Sequence, residues 1–147
     1  MNLKPVKPLD INLIYEWANE KVVRENAFNQ NQISYDEHET WFYGKLSSDN
    51  VLFYIFYIDE TPIGQIRVDI ENRKGMIDYS IDSRHRGKGY GTLILEHLIK
   101  ETELKEKKVK LLIGDVKLGN MSSRKAFEKA GFKGTAMEDI IRYSRNI

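Results

Sequence analysis

The segment 80–99, "SIDSRHRGKGYGTLILEHLI", constrains this chain more than any other. A predicted strand runs into basic residues interspersed with three glycines, and an amphipathic helix pattern follows. The first amides of a helix have no partner inside it and carry the positive end of its dipole. Glycines let a ligand approach those amides closely. The segment therefore predicts an anion site, with Arg84, Arg86 and Lys88 as additional charge.

Two familiar phosphate loops are excluded by the spacing. The dinucleotide fingerprint requires glycine three residues after its second glycine, but Thr92 stands three residues after Gly89. The P-loop requires Gly-Lys-Ser/Thr, whereas this segment has Gly-Lys-Gly. A simpler alternative remains open, namely a flexible basic turn that does no more than begin a helix.

Length and composition restrict the class of protein. The 147 residues fit one domain spanning 1–147 with a core of its own. A net charge of +1 gives no general attraction to nucleic acid or membranes. The absence of cysteine, with three histidines at no metal-ligand spacing, predicts neither a metal site nor a thiol nucleophile. No apolar signal or membrane span is evident, so we expect a cytoplasmic protein without nucleic-acid or membrane partners.

The hydrophobic patterns predict elements in the order β-α-α-β-β-β-α-β-α-β-β. Helices are expected after caps at Asp10, Ser34 and Asn120 and after the glycine segment. Thr61-Pro62 is expected in the turn of a hairpin. The strands are predicted at 3–6, 51–58, 63–71, 75–81, 109–116, 132–137 and 140–145. Antiparallel strands followed by a crossover imply an α/β (α+β) three-layer domain, a mixed sheet of about six to seven strands with helices on both faces.

Two motifs together resemble the GNAT N-acetyltransferase superfamily. Residues 86–91, "RGKGYG", fit Arg/Gln-x-x-Gly-x-Gly after a strand, and Asn120 with "AFEKAGF" follows downstream. The resemblance covers essentially the whole chain and implies a GNAT-like domain that uses acetyl-CoA. It implies that the amides of residues 86–91 cradle the pyrophosphate and that the pantetheine arm follows the strand ending at Ile81. The implied cofactor contacts are Ile81, Arg86, Gly87, Lys88, Gly89, Tyr90, Gly91, Asn120 and Phe127.

The resemblance also implies direct transfer of the acetyl group to an amine, with the backbone amide near Ile81 donating to the acetyl oxygen. Asn120 would contact the coenzyme arm as well as cap a helix. The thiolate's acid is commonly a tyrosine seven residues after this asparagine, but here that position is Phe127, which cannot donate a proton. Phe127 itself fits a core stripe. The candidates left for the acid are Tyr143, Tyr79, Ser122 or water.

The general base stays open at this point. Four carboxylates lie on predicted strands, where each either acts through a water or is simply solvated: Asp69, Glu71, Asp78 and Asp115.

The N-terminal helices resemble those of acetyltransferases for nucleotide-linked amino sugars, of the kind found in pseudaminic acid pathways. The shared features are Trp17-x-Asn19, Arg24, Phe28 and "EHETWF" at 37–42. The acceptor implied is the 4-amino group of a UDP-linked 4-amino-4,6-dideoxy sugar. The implied acceptor contacts are Asn19, Arg24, Phe28, His38 and Trp41, with Arg24 and His38 on the diphosphate. Core packing is the competing interpretation of Trp17 and Trp41, and a surface position that of Arg24 and His38.

Two other functions compete with this one. The first is acetylation of a protein N-terminus or a polyamine, which an extended acidic groove would favour. The second is a non-catalytic acyl-CoA sensor, which Phe127 keeps open. A homodimer is compatible with each of them.

Overall fold

The computed structural model describes residues 1–147, and its seven strands form one mixed sheet in the order β1-β2-β3-β4-β5-β7-β6. The predicted α/β three-layer class is confirmed. The strands are β1 (Asn2–Pro5), β2 (Val51–Ile58), β3 (Thr61–Glu71), β4 (Lys74–Ile81), β5 (Leu111–Lys117), β6 (Lys133–Met137) and β7 (Ile140–Asn146). The helices are α1 (Ile11–Ala18), α2 (Lys21–Asn26), α3 (Tyr35–Ser47), α4 (Tyr90–Ile99), α5 (Thr102–Glu106) and α6 (Met121–Lys129).

The continuous apolar run of β2 is explained by two cores, one on each face of the sheet. Phe53 and Ile55 pack with α1 and α3 in the smaller core. Leu52, Tyr54 and Phe56 point the other way, into the core that α4 and α6 cover. A strand buried on both faces needs apolar side chains at every position.

None of the helices is long and apolar enough to cross a bilayer.

Two of the predicted helix caps form as expected. Oγ of Ser34 accepts the amide of Glu37 at 3.2 Å, and Oδ1 of Asn120 accepts the amide of Ser123 at 3.3 Å. Asp10 behaves differently from the prediction. Its carboxylate accepts the amide of Lys7 at 2.8 Å and closes the 3-10 turn Pro8–Asp10, with no side-chain bond to α1.

The β2–β3 connection is tighter than predicted. Asp59, at φ 55°, and Glu60 form the turn, so Thr61 and Pro62 are already the first residues of β3. Helices α2 and α5 are absent from the prediction because six and five residues are too few to show a helical period.

Strands β4 and β5 run parallel but pair along only part of their length. The paired residues are Lys74 with Leu111, Gly75 with Leu112 and Met76 with Ile113. Beyond Met76, β4 continues to Ile81 beside β3 alone, and β5 continues to Lys117 beside β7 alone. The sheet therefore opens into a wedge between the two strands, beside the strand that ends at Ile81.

Candidate active site

A cleft of about 920 Å³ occupies the wedge between β4 and β5. The start of α4 and one face of α6 border it on one side of the sheet, and α1, α2 and α3 border it on the other. The cleft therefore has two ends, the glycine loop with α4 and α6, and the helices α1–α3 above a polar sheet floor.

The glycine loop ends in an uncapped helix. Gly87 and Gly89 have φ values of 77° and 81°, and a Cβ on either would meet nothing within 4 Å. Backbone conformation rather than crowding therefore requires glycine at both positions. Gly89 is the N-cap of α4 and offers no side-chain bond. The amides that begin α4 at Tyr90 and Gly91 thus lie at the cleft with no partner inside the helix.

Asp82 anchors the segment that leads into this loop. Its carboxylate accepts hydrogen bonds from the Arg84 guanidinium at 2.8 Å and from Nε1 of Trp17 in α1 at 2.8 Å. These bonds hold the pKa of the Asp82 carboxyl well below its usual range. The glycine-loop end of the cleft is thereby fixed to α1 by a buried, ionised group.

The basic side chains of the loop differ in their availability. Nη2 of Arg86 donates to Glu20 at 2.6 Å, just before α2, so its side chain ties the loop to the N-terminal helices. The Lys88 side chain is exposed and does not line the cleft. The loop would therefore contact an anion in the cleft mainly through its backbone amides.

Because of its register with β3, strand β4 directs some of its main-chain groups toward the wedge between β4 and β5. The amide of Asp82 donates to the Ile63 carbonyl on the β3 side at 2.8 Å. Main-chain groups alternate in direction along a strand. Those of Tyr79 and Ile81 therefore face away from β3, toward the unpaired stretch of β5.

Hydroxyl groups cluster where α4 and α6 approach β4. Oη of Tyr79 donates to Oγ of Ser123 at 3.0 Å, and burial raises the pKa of Tyr79 to about 12. Oγ of Ser122 donates to Oδ1 of Asn120 at 3.3 Å. All four residues line the cleft. Tyr79 therefore carries its proton at neutral pH, beside a hydroxyl that accepts from it.

Phe127 is a core residue whose ring also borders the cleft. It is 2% exposed, stacks on Tyr143 at a centroid distance of 5.3 Å and meets Tyr79 edge-on at 5.8 Å. Its ring occupies the place that a Cβ on Gly114 would need. The core interpretation of Phe127 thus agrees with its packing.

Tyr143 lies outside the cleft, which corrects its selection as the first candidate for the acid. It is 2% exposed beneath Phe127, and its hydroxyl donates to Glu128 at 3.2 Å on α6. The Phe127 ring separates it from the wedge. Of the two tyrosines considered, Tyr79 is the one that reaches the cleft.

A polar strip forms the floor of the other end. Helices α1 and α3 cover β2 on this face and leave parts of β3, β4 and β5 open to the cleft. Trp41 stands beside the strip, with the Arg67 guanidinium 5.0 Å from its ring centroid. The strip consists of Gln65, Arg67, Asp78, Ser80 and Asp115.

Among the four carboxylates considered as bases, Asp78 is the one left without a cationic partner in the cleft. Asp69 and Glu71 do not line it, and although burial opposes the shift, Arg67 and Lys45 lower the pKa of Asp69. Asp115 lines the cleft but accepts two bonds from Arg142, at 2.8 and 2.9 Å. Asp78 accepts a single side-chain bond, from Gln65 at 3.2 Å.

His38 borders the cleft, but its burial and its main-chain contact leave it unsuited to hold a phosphate, which corrects that prediction. It is 1% exposed within an aromatic group, and Nε2 lies 2.9 Å from the Ile11 carbonyl. Burial lowers its pKa, although the bond to Ile11 opposes the shift. The ring is therefore neutral and supports the junction of α1 and α3.

Asn19 and Arg24 chiefly hold the loop that follows α2. The Asn19 amide exchanges two bonds with the main chain of Ile33 and does not line the cleft. Arg24 donates to the carbonyls of Ala18, Asn29 and Asn31. Asn19 is therefore corrected to a structural residue, while Arg24 lines the cleft with its charge unpaired by any carboxylate.

Sequence reasoning missed Lys117 and Gln65. Nζ of Lys117 bonds to the Glu25 carbonyl at 3.3 Å and lies 5.9 Å from the ring of Phe28, which is 67% exposed at the cleft. No sequence signal marks Lys117, because it is the last residue of an ordinary strand. Gln65 occupies a polar position in an alternating strand, which is usually solvent-facing.

The charges that line the cleft are unequal. Three carboxylates face six lysine and arginine side chains: Glu37, Asp78 and Asp115 against Arg24, Arg67, Arg86, Lys117, Lys125 and Lys129. No group of three or more histidine or carboxylate side chains that could hold a metal occurs in the molecule. The cleft as a whole therefore has an excess of positive charge, which favours anionic ligands.

The family model described as an acetyltransferase (GNAT) domain matches residues 1–133. No curated protein matches the chain. Several solved structures do, among them the spermidine N-acetyltransferase from Vibrio cholerae in complex with CoA and spermine, with TM-score 0.87 and 16% identity over 99% of this chain and 94% of that one.

Two further structures with the same fold belong to acetyltransferases of other acceptors. The aminoglycoside acetyltransferase AAC(6')-Ib with coenzyme A and kanamycin matches at TM-score 0.82 and 19% identity, over 99% and 94% of the chains. The ribosomal L7/L12 alpha-N-protein acetyltransferase RimL with coenzyme A matches at TM-score 0.85 and 16% identity, over 99% and 93%. At such identities the similarity establishes the fold and leaves the acceptor open.

Proposed function

We propose an acceptor for this chain, which belongs to the GNAT acetyltransferase family and is by that membership an acetyl-CoA-dependent N-acetyltransferase. The proposed acceptor is the 4-amino group of a UDP-linked 4-amino-4,6-dideoxy sugar. We also propose that residues 1–147 act as one domain and that the reaction takes place in the cytoplasm. The observation that carries the acceptor proposal is the pair of basic side chains Arg24 and Lys117 at the acceptor end of the cleft, which bond to main-chain carbonyls and to no carboxylate.

The cofactor end fits acetyl-CoA, which supplies an activated acetyl thioester. The positive φ values of Gly87 and Gly89 and the unpaired amides at the start of α4 support binding of the pyrophosphate to residues 86–91. The Asn120 amide nitrogen and the main chain of Tyr79 and Ile81 are available to the pantetheine arm. Arg86 then contributes by fixing the loop through Glu20, while Lys88 adds charge at long range.

The proposed chemistry uses residues already at the cleft. The ammonium group of the acceptor loses one proton through water, and its neutral nitrogen attacks the thioester carbonyl. The nitrogen loses a second proton as the C–S bond breaks, and the thiolate takes up a proton, so that one proton is released overall. Main-chain amides of Tyr79 or Ile81 donate to the developing oxyanion. Tyr79 supplies the thiol proton and recovers it through Ser123. Asp78 is the candidate base, acting through water.

Unpaired positive charge at the acceptor end supports a phosphorylated acceptor. Arg24 and Lys117 bond only to main-chain carbonyls, so neither charge is offset by a carboxylate within ion-pair distance. A sugar-nucleotide diphosphate could replace part of these contacts. Phe28 and Trp41 offer aromatic faces for a base or a deoxy-sugar methyl group. Lys117 takes the place that the sequence interpretation gave to His38.

A protein N-terminus or a polyamine is the second candidate. Glu37 and the unpaired Asp78 favour a cationic acceptor, and structures with similar folds are described with spermine or as acting on a ribosomal protein. The acidic groove that such acceptors would need is not continuous, because Arg67 and Lys117 interrupt it.

The test is thiol release from acetyl-CoA with three acceptors in parallel: the UDP-4-amino-4,6-dideoxy sugar, a peptide with a free N-terminus, and spermidine. Turnover of the sugar nucleotide alone supports the proposal, and Lys117→Met should then raise its KM about tenfold. Glu128→Gln, outside the cleft, is the matched control. Turnover of the peptide or spermidine instead overturns the acceptor. No turnover with a CoA-induced rise in Tm indicates a sensor.

A further inference from the structure

Gln65 in β3 carries a buried oxygen that nothing in the protein satisfies. The residue is 8% exposed, its side chain lines the acceptor end of the cleft, and Oε1 has no hydrogen-bond partner. Buried polar atoms are paired in the great majority of cases, so an unpaired one in a cleft requires an explanation. A structural glutamine at this place would have its oxygen bonded by the fold.

The amide orientation is fixed by its neighbours. Nε2 donates to Oδ1 of Asp78 and to Oγ of Ser80, each at 3.2 Å. A carboxylate can only accept, so the nitrogen must face Asp78 and the oxygen must point away from it. Arg67 is the next residue on the same face of β3, and its Nε is bonded to Asp69 at 3.0 Å rather than to Gln65. Oε1 is thus held in place as an acceptor without a donor.

We infer that Gln65 binds the acceptor amine, with Oε1 accepting an N–H of the nitrogen that is acetylated. The inference rests on the proposed N-acetyltransferase function and deepens it, because it concerns how that site recognises its substrate. Oε1 can accept from both the ammonium and the neutral amine, so it holds the nitrogen through loss of the first proton. The Asp78 carboxylate, bonded to the same amide, supplies negative charge for the ammonium form.

The position also orients the attack. Ser80 pairs with Gln65 across β3 and β4, next to the Ile81–Gly64 pair whose main chain on β4 faces the wedge. An amine that directs one N–H toward Oε1 on the floor has its lone pair directed away from the floor. Gln65 is therefore a substrate-positioning residue as well as a binding one, and a bulky apolar residue there would remove both effects.

The test compares Gln65→Met, which keeps shape but removes the oxygen, with Gln65→Glu, which keeps an oxygen acceptor. The matched control is Gln32→Met, since Gln32 is exposed and does not line the cleft. Gln65→Met should raise the KM of the acceptor about tenfold or more and leave the KM of acetyl-CoA within about twofold. Gln65→Glu should recover most of the acceptor affinity at a pH where the new carboxyl group and Asp78 share one proton, because two ionised carboxylates at this distance would repel each other. Gln65→Met also removes the Nε2 bonds to Asp78 and Ser80, so its Tm should fall somewhat, and the comparison of the two KM values separates loss of Oε1 from general destabilisation.

A measurement on the unaltered chain covers the case in which a variant fails to fold. The chain has three glutamines, Gln30, Gln32 and Gln65. In protein labelled with ¹⁵N-glutamine and saturated with CoA, adding the acceptor should shift the Gln65 side-chain amide signals and not the other two.

The outcomes separate the inference from the function on which it rests. An unchanged acceptor KM in an active Gln65→Met variant, or a Gln65 signal that the acceptor does not move, overturns the inference and leaves the acetyltransferase function intact. Absence of turnover on every amine, in protein that binds CoA, overturns the proposed function and this inference with it.

Discussion

Nε1 of Trp17 donates a 2.8 Å hydrogen bond to Oδ2 of Asp82, a residue 65 positions further along the chain. The bond joins α1, at the acceptor end, to the segment that enters the glycine loop. Glu20 and Arg86 form a second connection at 2.6 Å between the same two regions. Helix α1, the start of α2 and the glycine loop therefore hold each other in position.

Trp17→Phe should weaken both stability and cofactor binding. The change keeps most of the apolar volume in the small core but removes a bond to a buried carboxylate, a loss of about 1.5–3 kcal/mol. Urea unfolding measures that loss, and steady-state kinetics should show a higher KM for acetyl-CoA. Trp41→Phe is the control, since Trp41 contacts the acceptor end and should change the acceptor KM instead. An unaltered KM for acetyl-CoA in Trp17→Phe would mean that the bond does not position the loop.

Gly89→Ala should reduce stability by about 1–2 kcal/mol and weaken CoA binding. A Cβ at this residue meets nothing, so the effect comes from the φ of 81° alone. Gly119→Ala is the matched control, because Gly119 has equally open space and no positive φ. Thermal unfolding with and without CoA measures both effects. Equal behaviour of the two variants would show that the left-handed conformation is not needed.

Phe127→Tyr should destabilise the protein and should not raise kcat. The end of the Phe127 ring lies against Gly114 in β5, so an added hydroxyl would press on the strand rather than enter the wedge. Overpacking of this kind costs about 1–3 kcal/mol. The measurements are Tm and the pH profile of kcat. A gain in kcat at unchanged Tm would show that the hydroxyl reaches the thiolate after all.

Tyr79→Phe should lower kcat about tenfold to a hundredfold with little change in either KM, because it removes the proton donor and keeps the packing. The comparison is Ser123→Ala, which leaves the Tyr79 hydroxyl in place and takes away the group that accepts from it. If the pH profile of kcat in Tyr79→Phe were identical to that of the original chain, water would be favoured as the acid.

Stability should decline as pH falls below about 6.5, because of His38. Its folded-state pKa is lowered by burial, so the unfolded chain binds the proton more readily and gains it first. The free energy of unfolding then falls with a slope of up to about 1.4 kcal/mol per pH unit. Urea titrations between pH 5 and 7, on the original chain and on His38→Phe, test this. An equally steep decline in the variant would assign the dependence to other groups.

Much of the cofactor end could be predicted because local chemistry determines it. Glycines with positive φ, a helix start and the Asn120 cap depend on neighbours in the sequence, which the pattern shows directly. The acceptor end depends on contacts between distant segments. His38 appears at an exposed helix start in the sequence, and only the packing of Tyr15, Trp41 and Phe42 around it determines that it is buried.

Gln65 is a second residue whose surroundings could not be predicted from the local sequence. Apolar and polar residues alternate in β3, and in the structure Ile66 and Val68 enter the core whereas Gln65 lies on the opposite face. Whether a polar residue on that second face meets solvent, a helix or a cleft depends on how far α1 and α3 extend over the sheet. No local pattern contains that information.

The early separation of β4 and β5 means that this sheet has four exposed margins rather than two. Besides the outer sides of β1 and β6, the inner sides of β4 and β5 present main-chain groups that no strand satisfies. Such margins invite pairing with any extended chain. A pantetheine arm bound there could pair its amide groups with these main-chain groups, as a short strand would. Binding of the coenzyme in this wedge would then also stabilise the folded sheet.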